Sequence, residues 1–487
     1  MSGYIHGAFG QITENGNRVS QKSRSAFIYV GTAPVHNVTG GAAYVNKPVL
    51  VENIGEAMRY FGYSDEWDKY TLCEAMHVHL VKYGVGPLVL INVLDPEKHK
   101  AESGGTKSVT PENGRLVITD AQDIILDSVE VAGKKAGEDY AISYDRAKRL
   151  IVIRESVKGA LGAEALNVTY DLIDASKVTA QDVIGLDDNA GVTTGIAAVR
   201  SVYQLTGYIP SFLAAPGFSG DKAVNQAMSE AAKGINGHFW AWVLSDLPVV
   251  NQEGDTITMD GAAAYKKANG YNMENGKVYF PLGDGVDGKK YHLSVLGAAS
   301  LNRLLIENDG IPYKTDSNTE CSLIKNIYLG EEAAGRVYDD RLINEKLGSE
   351  GIASAAYVGG RYVLWGAHCA DYDQDSKNEV NVADANRMML YYLINDFQHR
   401  RARDVDKPLS ANDIASIVAE EQARLDALVK MGALTFGEVF VNAERMARSD
   451  VFSGDYMFTY RVTTTPLAKS LTADIAWVSD GYAAYFG

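Results

Sequence analysis

The residues best placed for chemistry sit at Gly217–Asp221, where GFSGD follows an apolar run and opens an amphipathic one. A serine on a sharp strand-to-helix turn is the setting of a hydrolase nucleophile, but that turn asks for G-x-S-x-G. Here Asp221 stands where the last glycine belongs. The plainer expectation is a tight turn in which Ser219 or Asp221 caps the helix. Two glycines in one loop do not make a dinucleotide fingerprint either. The acidic run DYDQDSKNEVNV, Asp371–Val382, matches a calcium-binding helix–loop–helix motif at its first three ligand positions. Ser376 replaces the turn glycine and Val382 the bidentate glutamate, so a solvated acidic loop is expected instead. His77 and His79 project to different sides of a helix and lack a third ligand. The cysteines, Cys73, Cys321 and Cys369, are few and far apart, which suits buried reduced thiols and not a disulfide framework. No Ser/His/Asp, Cys/His, paired-carboxylate or metal constellation stands out, and the expectation is a protein that is no enzyme and holds no cofactor or metal.

One basic stretch remains. FQHRRARDVDK brings Arg400, Arg401, Arg403 and Lys407 together in a chain of net charge −16. It is read either as an interaction surface or as cations complementing a helix C-terminus. The overall negative charge argues against nucleic acid as the main partner.

The elements that would position these residues fall into sections. Residues 1–24 are poor in apolar periodicity and read as an extended arm with Tyr4, Ile5, Phe9 and Ile12 as its apolar anchors, or as a disordered terminus. Residues 25–98 read β, β, α, α, β: strands at Ala26–Thr32, Lys47–Val51 and Pro87–Leu94, helices at Asn53–Phe61 and Tyr70–Tyr83. Residues 99–188 switch to short strands split by turn residues, among them Arg115–Thr119, Ile124–Val131, Tyr140–Ser143, Leu150–Arg154 and Leu166–Tyr170, a small β-sandwich or barrel inserted into the α/β part. Residues 189–370 resume as a middle α/β domain, with a strand at Ile209–Ala215, a helix at Asp221–Ile235, a strand at Phe239–Leu244, helices at Tyr291–Asn308 and Glu332–Leu347, and a strand at Arg361–Leu364. Residues 371–487 form an α+β section. Helices at Asp384–Arg400 and Ser410–Met431 are followed by strands at Thr435–Val441 and Tyr456–Thr464. The second helix opens on a Ser410/Asp413 capping box and stops at Gly432. From about residue 466 a last arm carries Leu471, Ala473, Ile475 and Trp477 in alternation with polar or small residues, a period-2 strand. An alternating strand at the end of a chain presents an unpaired edge, which invites another molecule. The chain opens without a cationic-then-apolar leader and no apolar run reaches about 18 residues, so no membrane span is expected.

Several segments, in order, resemble the contractile tail sheath proteins of bacteriophages and related injection machines. They are FIYVGTAP with NKPVLVENIGEAMRYFG, then LCEAMHVHLVKYGVGPLVLINVL, GSEGIASAAYVGGRYVLWGAHCA and DANRMMLYYLINDF, followed by a β-rich tail. At Ala367–Ala370, AHCA stands in place of the family's Arg-Thr pair. The resemblance covers residues 25–98 and about 190–487. It implies a multi-domain α/β (α+β) fold: a sheath core, an inserted all-β domain, and a C-terminal α+β domain with extended arms. It implies a structural subunit that polymerises as stacked hexameric rings around a tail tube and contracts to drive the tube through a target envelope. The implied partners are further copies of the chain, the tail tube protein, and baseplate and tail terminator proteins, with no nucleic acid, no membrane insertion and no cofactor. Its place would be a virion tail or tail-like particle made in a bacterial cytoplasm. On this reading Tyr4, Ile5, Phe9, Ile12, Leu471, Ala473, Ile475 and Trp477 are arm contacts between subunits, and Arg400, Arg401, Arg403 and Lys407 are candidate tube contacts. Left open are another phage structural protein, such as a capsid or tube component, and an α/β hydrolase built on Ser219.

Overall fold

A computed structural model describes residues 25–333, 335–373, 378–441 and 453–485. Its centre is an eight-stranded sheet formed by β1 (Ser25–Gly31), β2 (Val49–Val51), β3 (Leu88–Asn92), β4 (Ile209–Ala214), β5 (Trp242–Asp246), β6 (Gly276–Tyr279), β7 (Ile352–Val358) and β8 (Arg361–Trp365), in the order β8-β7-β6-β5-β4-β1-β3-β2. Neighbours from β3 through β7 run parallel, and β2 and β8 close the two edges antiparallel. Parallel strands with helices on both faces are hidden on both sides, which is why β1, β3 and β5 read as nearly unbroken apolar runs. The chain lays down β1 first, adds β2 and β3 on one side, then returns to build β4 to β8 on the other. The direction of building reverses between β1 and β4.

Local signals set the helices. Asn53 caps Ile54–Phe61 by accepting from the Glu56 N–H. Gly62 ends it at φ 71°, where a Cβ would sit 2.6 Å from the Pro34 carbonyl oxygen. The expected helix over Tyr70–Tyr83 is α-helical at Thr71–Met76 and widens to a π-helix at His77–Tyr83. Asp221 caps Lys222–Ala231 through the Ala223 N–H. The helix expected over Glu332–Leu347 forms only at Asp340–Lys346. Asp339 starts it by capping Leu342, later than apolar spacing suggests.

Residues between β3 and β4 make two three-stranded antiparallel sheets. One pairs Gly105–Val109, Leu166–Tyr170 and Glu130–Val131; the other pairs Arg115–Ile118, Leu150–Glu155 and Tyr140–Asp145. They enclose a hydrophobic cluster of their own that includes Leu116, Ile118, Tyr140, Ile151, Ile153 and Val168. The strand expected over Ile124–Val131 is instead a 3-10 turn at Leu126–Ser128 and a two-residue strand. The Ser128 hydroxyl donates to the Ile125 carbonyl and the Asp127 carboxylate accepts from the Gly40 N–H, so side chains compete with the ladder.

The C-terminal section packs the helices Asp384–Arg401 and Ala411–Lys430 against the hairpin Leu434–Val441 and Phe458–Thr464. Met389, Leu393, Leu425, Leu428, Leu434 and Val439 form its core. The Ser410/Asp413 capping box is present, and Gly437 lets the strand approach Leu425 closely. The period-2 strand expected at Leu471–Trp477 does not form: this stretch has no ladder. A strand exists only against a neighbouring backbone, and the described residues offer none here. Leu471, Ile475 and Trp477 are 91%, 88% and 77% exposed.

Candidate assembly site

The turn after β4 buries Ser219. Its hydroxyl accepts from the Asp246 N–H at 3.0 Å, and the residue is 1% exposed. Among the described residues no histidine bonds its hydroxyl. Ser219 here joins β4 to β5, with Asp221 as the helix cap.

Asp246 belongs to a buried polar seam at the C-terminal ends of β4 and β5. Its carboxylate accepts from both the N–H and the hydroxyl of Ser294, and burial raises its pKa. Nearby, the Glu74 carboxylate takes the His292 N–H and the His292 ring, each at 2.6 Å. Burial would discharge His292, but Glu74 outweighs it and lifts the imidazole to about 9. The seam fastens the helices Thr71–Met76 and Leu293–Glu307 to the sheet. His79 lies inward, 2.7 Å from the Tyr29 hydroxyl, and burial lowers it to about 3. His77 faces Tyr63. The two histidines point apart, and among the described residues no group of His, Cys, Asp and Glu could hold a metal. In the acidic loop, Asp371 accepts from the Asn381 side chain. All three cysteines are buried and free.

A second buried network was not read from the sequence. Lys277, in the middle of β6, reaches Asp316 at 2.5 Å and Asp384 at 2.7 Å, with all three side chains at most 1% exposed. Tyr279 donates to Asp316 and Thr315 to Asp384, each at 2.8 Å. Burial disfavours the charged lysine, and the two carboxylates outweigh it and raise its pKa. Asp384 begins the helix Asp384–Arg401, so the network ties the C-terminal section to the central sheet. A lysine in a four-residue strand gives no sequence sign of such burial; the spacing-based reading passed over β6 entirely.

The basic stretch divides. Arg400 makes a bidentate pair with Glu421, both contacts at 2.5 Å. Arg401 meets Glu421 at 2.6 Å and Glu420 at 2.8 Å. Burial opposes charge on Glu421, but the two guanidiniums prevail and keep its carboxyl below the usual range. Both arginines thus clamp the helix Asp384–Arg401 to Ala411–Lys430. Arg403 is exposed, and Lys407 is 57% exposed beside Asp404 at 3.3 Å.

The arm residues also divide. Leu471, Ala473, Ile475 and Trp477 are exposed on the segment after the last hairpin strand. Tyr4, Ile5, Phe9 and Ile12 lie outside the described residues. No helix of the described residues is long and apolar enough to cross a membrane.

No family model matches the chain. The tail sheath protein of Burkholderia phage BcepMu is 24% identical over 498 residues, covering 98% of this chain and 97% of that one. Among solved structures, the helical sheath of the anti-feeding prophage in its contracted state aligns with a TM-score of 0.54 at 12% identity over 98% of this chain and 100% of its own. The PVC sheath complex of an extracellular contractile injection system, also contracted, gives 0.54 at 10% identity over 99% of each chain. The sheath tail protein of Desulfitobacterium hafniense gives 0.51 at 9% over 95% of this chain and 100% of that one. At such identities the structural likeness is one of fold. In sequence and in fold, over nearly its whole length, the chain is similar to contractile tail sheath proteins.

Proposed function

We propose that the chain is the structural subunit of a contractile tail sheath, polymerising as stacked hexameric rings around a tail tube and contracting to drive that tube through a target cell envelope. The observation that carries this reading is end-to-end likeness. The alignment to a tail sheath protein leaves almost none of either chain over, and the contracted sheath of the anti-feeding prophage follows the same fold over the same span.

The exposed end of the chain supports the reading physically. Leu471, Ile475 and Trp477 leave three large apolar side chains in water, and covering each contributes about 1.5–3 kcal/mol. A neighbour's sheet edge would cover them and supply the missing ladder at once. Residues 1–24, with Tyr4, Ile5, Phe9 and Ile12, are the proposed N-terminal arm. At the basic turn, Arg403 and Lys407 are the proposed tube contacts, with Arg400 and Arg401 as the clamp that presents them. The machine would be a phage tail or tail-like particle, with the tube, baseplate and tail terminator proteins as further partners.

Negative-stain microscopy of the purified chain tests this. Striated tubes are expected from the full chain. Removal of residues 470–487 should leave a folded, soluble subunit that forms none. Normal tubes from the truncated chain would sink the arm assignment, and irregular aggregates or closed shells from the full chain would sink the sheath reading.

A further inference from the structure

The buried network around Lys277 holds the parts from which an amide bond is made: an amine, a carboxyl group, and a second carboxyl to move protons. Lys277 Nζ lies 2.5 Å from Oδ1 of Asp316 and 2.7 Å from Oδ2 of Asp384. The two aspartates differ in what else holds them. Oδ2 of Asp316 accepts from the Tyr279 hydroxyl at 2.8 Å, a donor placed where negative charge collects if the carboxyl carbon is attacked. Oδ2 of Asp384 takes the Thr315 hydroxyl at 2.8 Å and its Oδ1 the Ala385 N–H at 2.7 Å. Burial raises the proton affinity of Asp384, which suits a group that accepts and returns protons. Lys266, also buried, meets a backbone carbonyl instead, that of Glu350.

Two physical conditions favour condensation here. The fold holds amine and acid in contact, so the reaction needs no encounter. All three side chains are at most 1% exposed, which keeps out the water that reverses amide formation in solution. An ion pair this deep is also costly, since each charge is stripped of its hydration, and condensation removes both charges.

We propose that Lys277 and Asp316 condense to an isopeptide bond, with Asp384 as the proton carrier. Asp384 takes one proton from Nζ and passes it to Oδ1 of Asp316, so that a neutral amine faces a carboxylic acid. The Nζ lone pair then bonds to Cγ of Asp316, and the electron pair of the carbonyl moves onto Oδ2, where the Tyr279 hydroxyl holds it. Asp384 carries a second Nζ proton to Oδ1, which leaves as water when the carbonyl re-forms. One C–N bond forms and one C–O bond breaks. Ammonium and carboxylate become amide and water, and nothing is oxidised or reduced. The bond joins residues 39 apart in sequence and stitches β6 to the loop after the helix Leu293–Glu307. A crosslink of this kind stabilises chiefly by restricting the unfolded chain. It uses none of the polymerisation surfaces, so its failure leaves the sheath reading untouched.

Mass spectrometry of the full chain under denaturing conditions tests it. With Met1 accounted for, the intact mass should fall short of the sequence mass by one water. A protease digest should contain a branched peptide joining Lys277 to Asp316. Asp384→Asn keeps both reacting groups and nearly the same shape but removes the proton carrier. It should show the full mass, with amide-exchange protection of β1 and β3 establishing that it is folded. An intact mass equal to the sequence mass in the native chain overturns the proposal, whatever the variant does. So does a missing water that maps to a succinimide, as at Asp309–Gly310, or a branch through Asp384. A folded Asp384→Asn chain that still carries the branched peptide overturns the role of Asp384.

Discussion

Lys277 and Asp384 meet at 2.7 Å with both side chains 1% exposed, one from the middle of the central sheet and the other from the first residue of a C-terminal helix. A buried pair of this kind contributes little net stability, but removing one partner strands the other's charge. Lys277→Met leaves Asp316 and Asp384 facing each other in the core. A loss of about 3–5 kcal/mol is expected, read as a lower melting temperature. Faster amide exchange should concentrate in residues 384–401 and spare β1 and β3. Uniform loss of protection across the sheet would mean that the network supports the whole fold and does not dock this one helix.

The clamp and the exposed end of the basic turn should separate by mutation. Arg401→Ala takes one guanidinium from Glu421, a buried carboxylate, and should cost about 1–3 kcal/mol. Arg403→Glu with Lys407→Glu touches no buried partner and should leave the melting temperature unchanged. If these two face the tube, the double variant weakens sheath–tube attachment, more so at low salt where screening is least. Sedimentation of sheath with and without tube measures it. Unaltered attachment at low salt would reduce the turn to a solvated helix end.

The His292–Glu74 pair gives a pH dependence of definite sign. Burial lowers the imidazole's proton affinity; Glu74 outweighs burial, Asp246 and Asp68 add to it, and the folded pKa rises from 6.5 to about 9. The folded state therefore holds this proton more tightly than the unfolded chain does. The resulting stability is complete below pH 6.5 and disappears as pH climbs through about 9, by at most about 3 kcal/mol. Thermal melts across that window should fall for the native chain and stay flatter for His292→Asn. Identical slopes for the two proteins would assign the alkaline loss to other groups.

The inserted strands have their own hydrophobic cluster, and the chain enters and leaves them close together: the Asp174 N–H donates to the His99 carbonyl at 2.8 Å. Ile173 and Val183 pack in the main core, so the separable piece should end before them. A chain lacking residues 101–172, closed by a short Gly/Ser linker, should remain folded, with β1 and β3 still protected from exchange. Collapse of the sheet on this deletion would make the insertion integral to the core.

Composition and spacing alone marked the strands β1 to β5 of the central sheet, because strands buried on both faces must be apolar throughout. They determined the Ser410/Asp413 cap, because capping is decided within four residues, and left the cap of Lys222–Ala231 open between Ser219 and Asp221, which the fold settled for Asp221. They also determined the change to short alternating strands after residue 98. Tertiary structure decided what depends on distant neighbours. Gly276–Tyr279 becomes an inner strand around a lysine only because Asp316 and Asp384 arrive to neutralise it. Arg400 and Arg401, which read as surface charge, become a clamp because Glu421 lies opposite on the next helix. Leu471–Trp477 has the pattern of a strand and forms none in the single chain, because a ladder needs a second backbone and pattern cannot say which molecule supplies it.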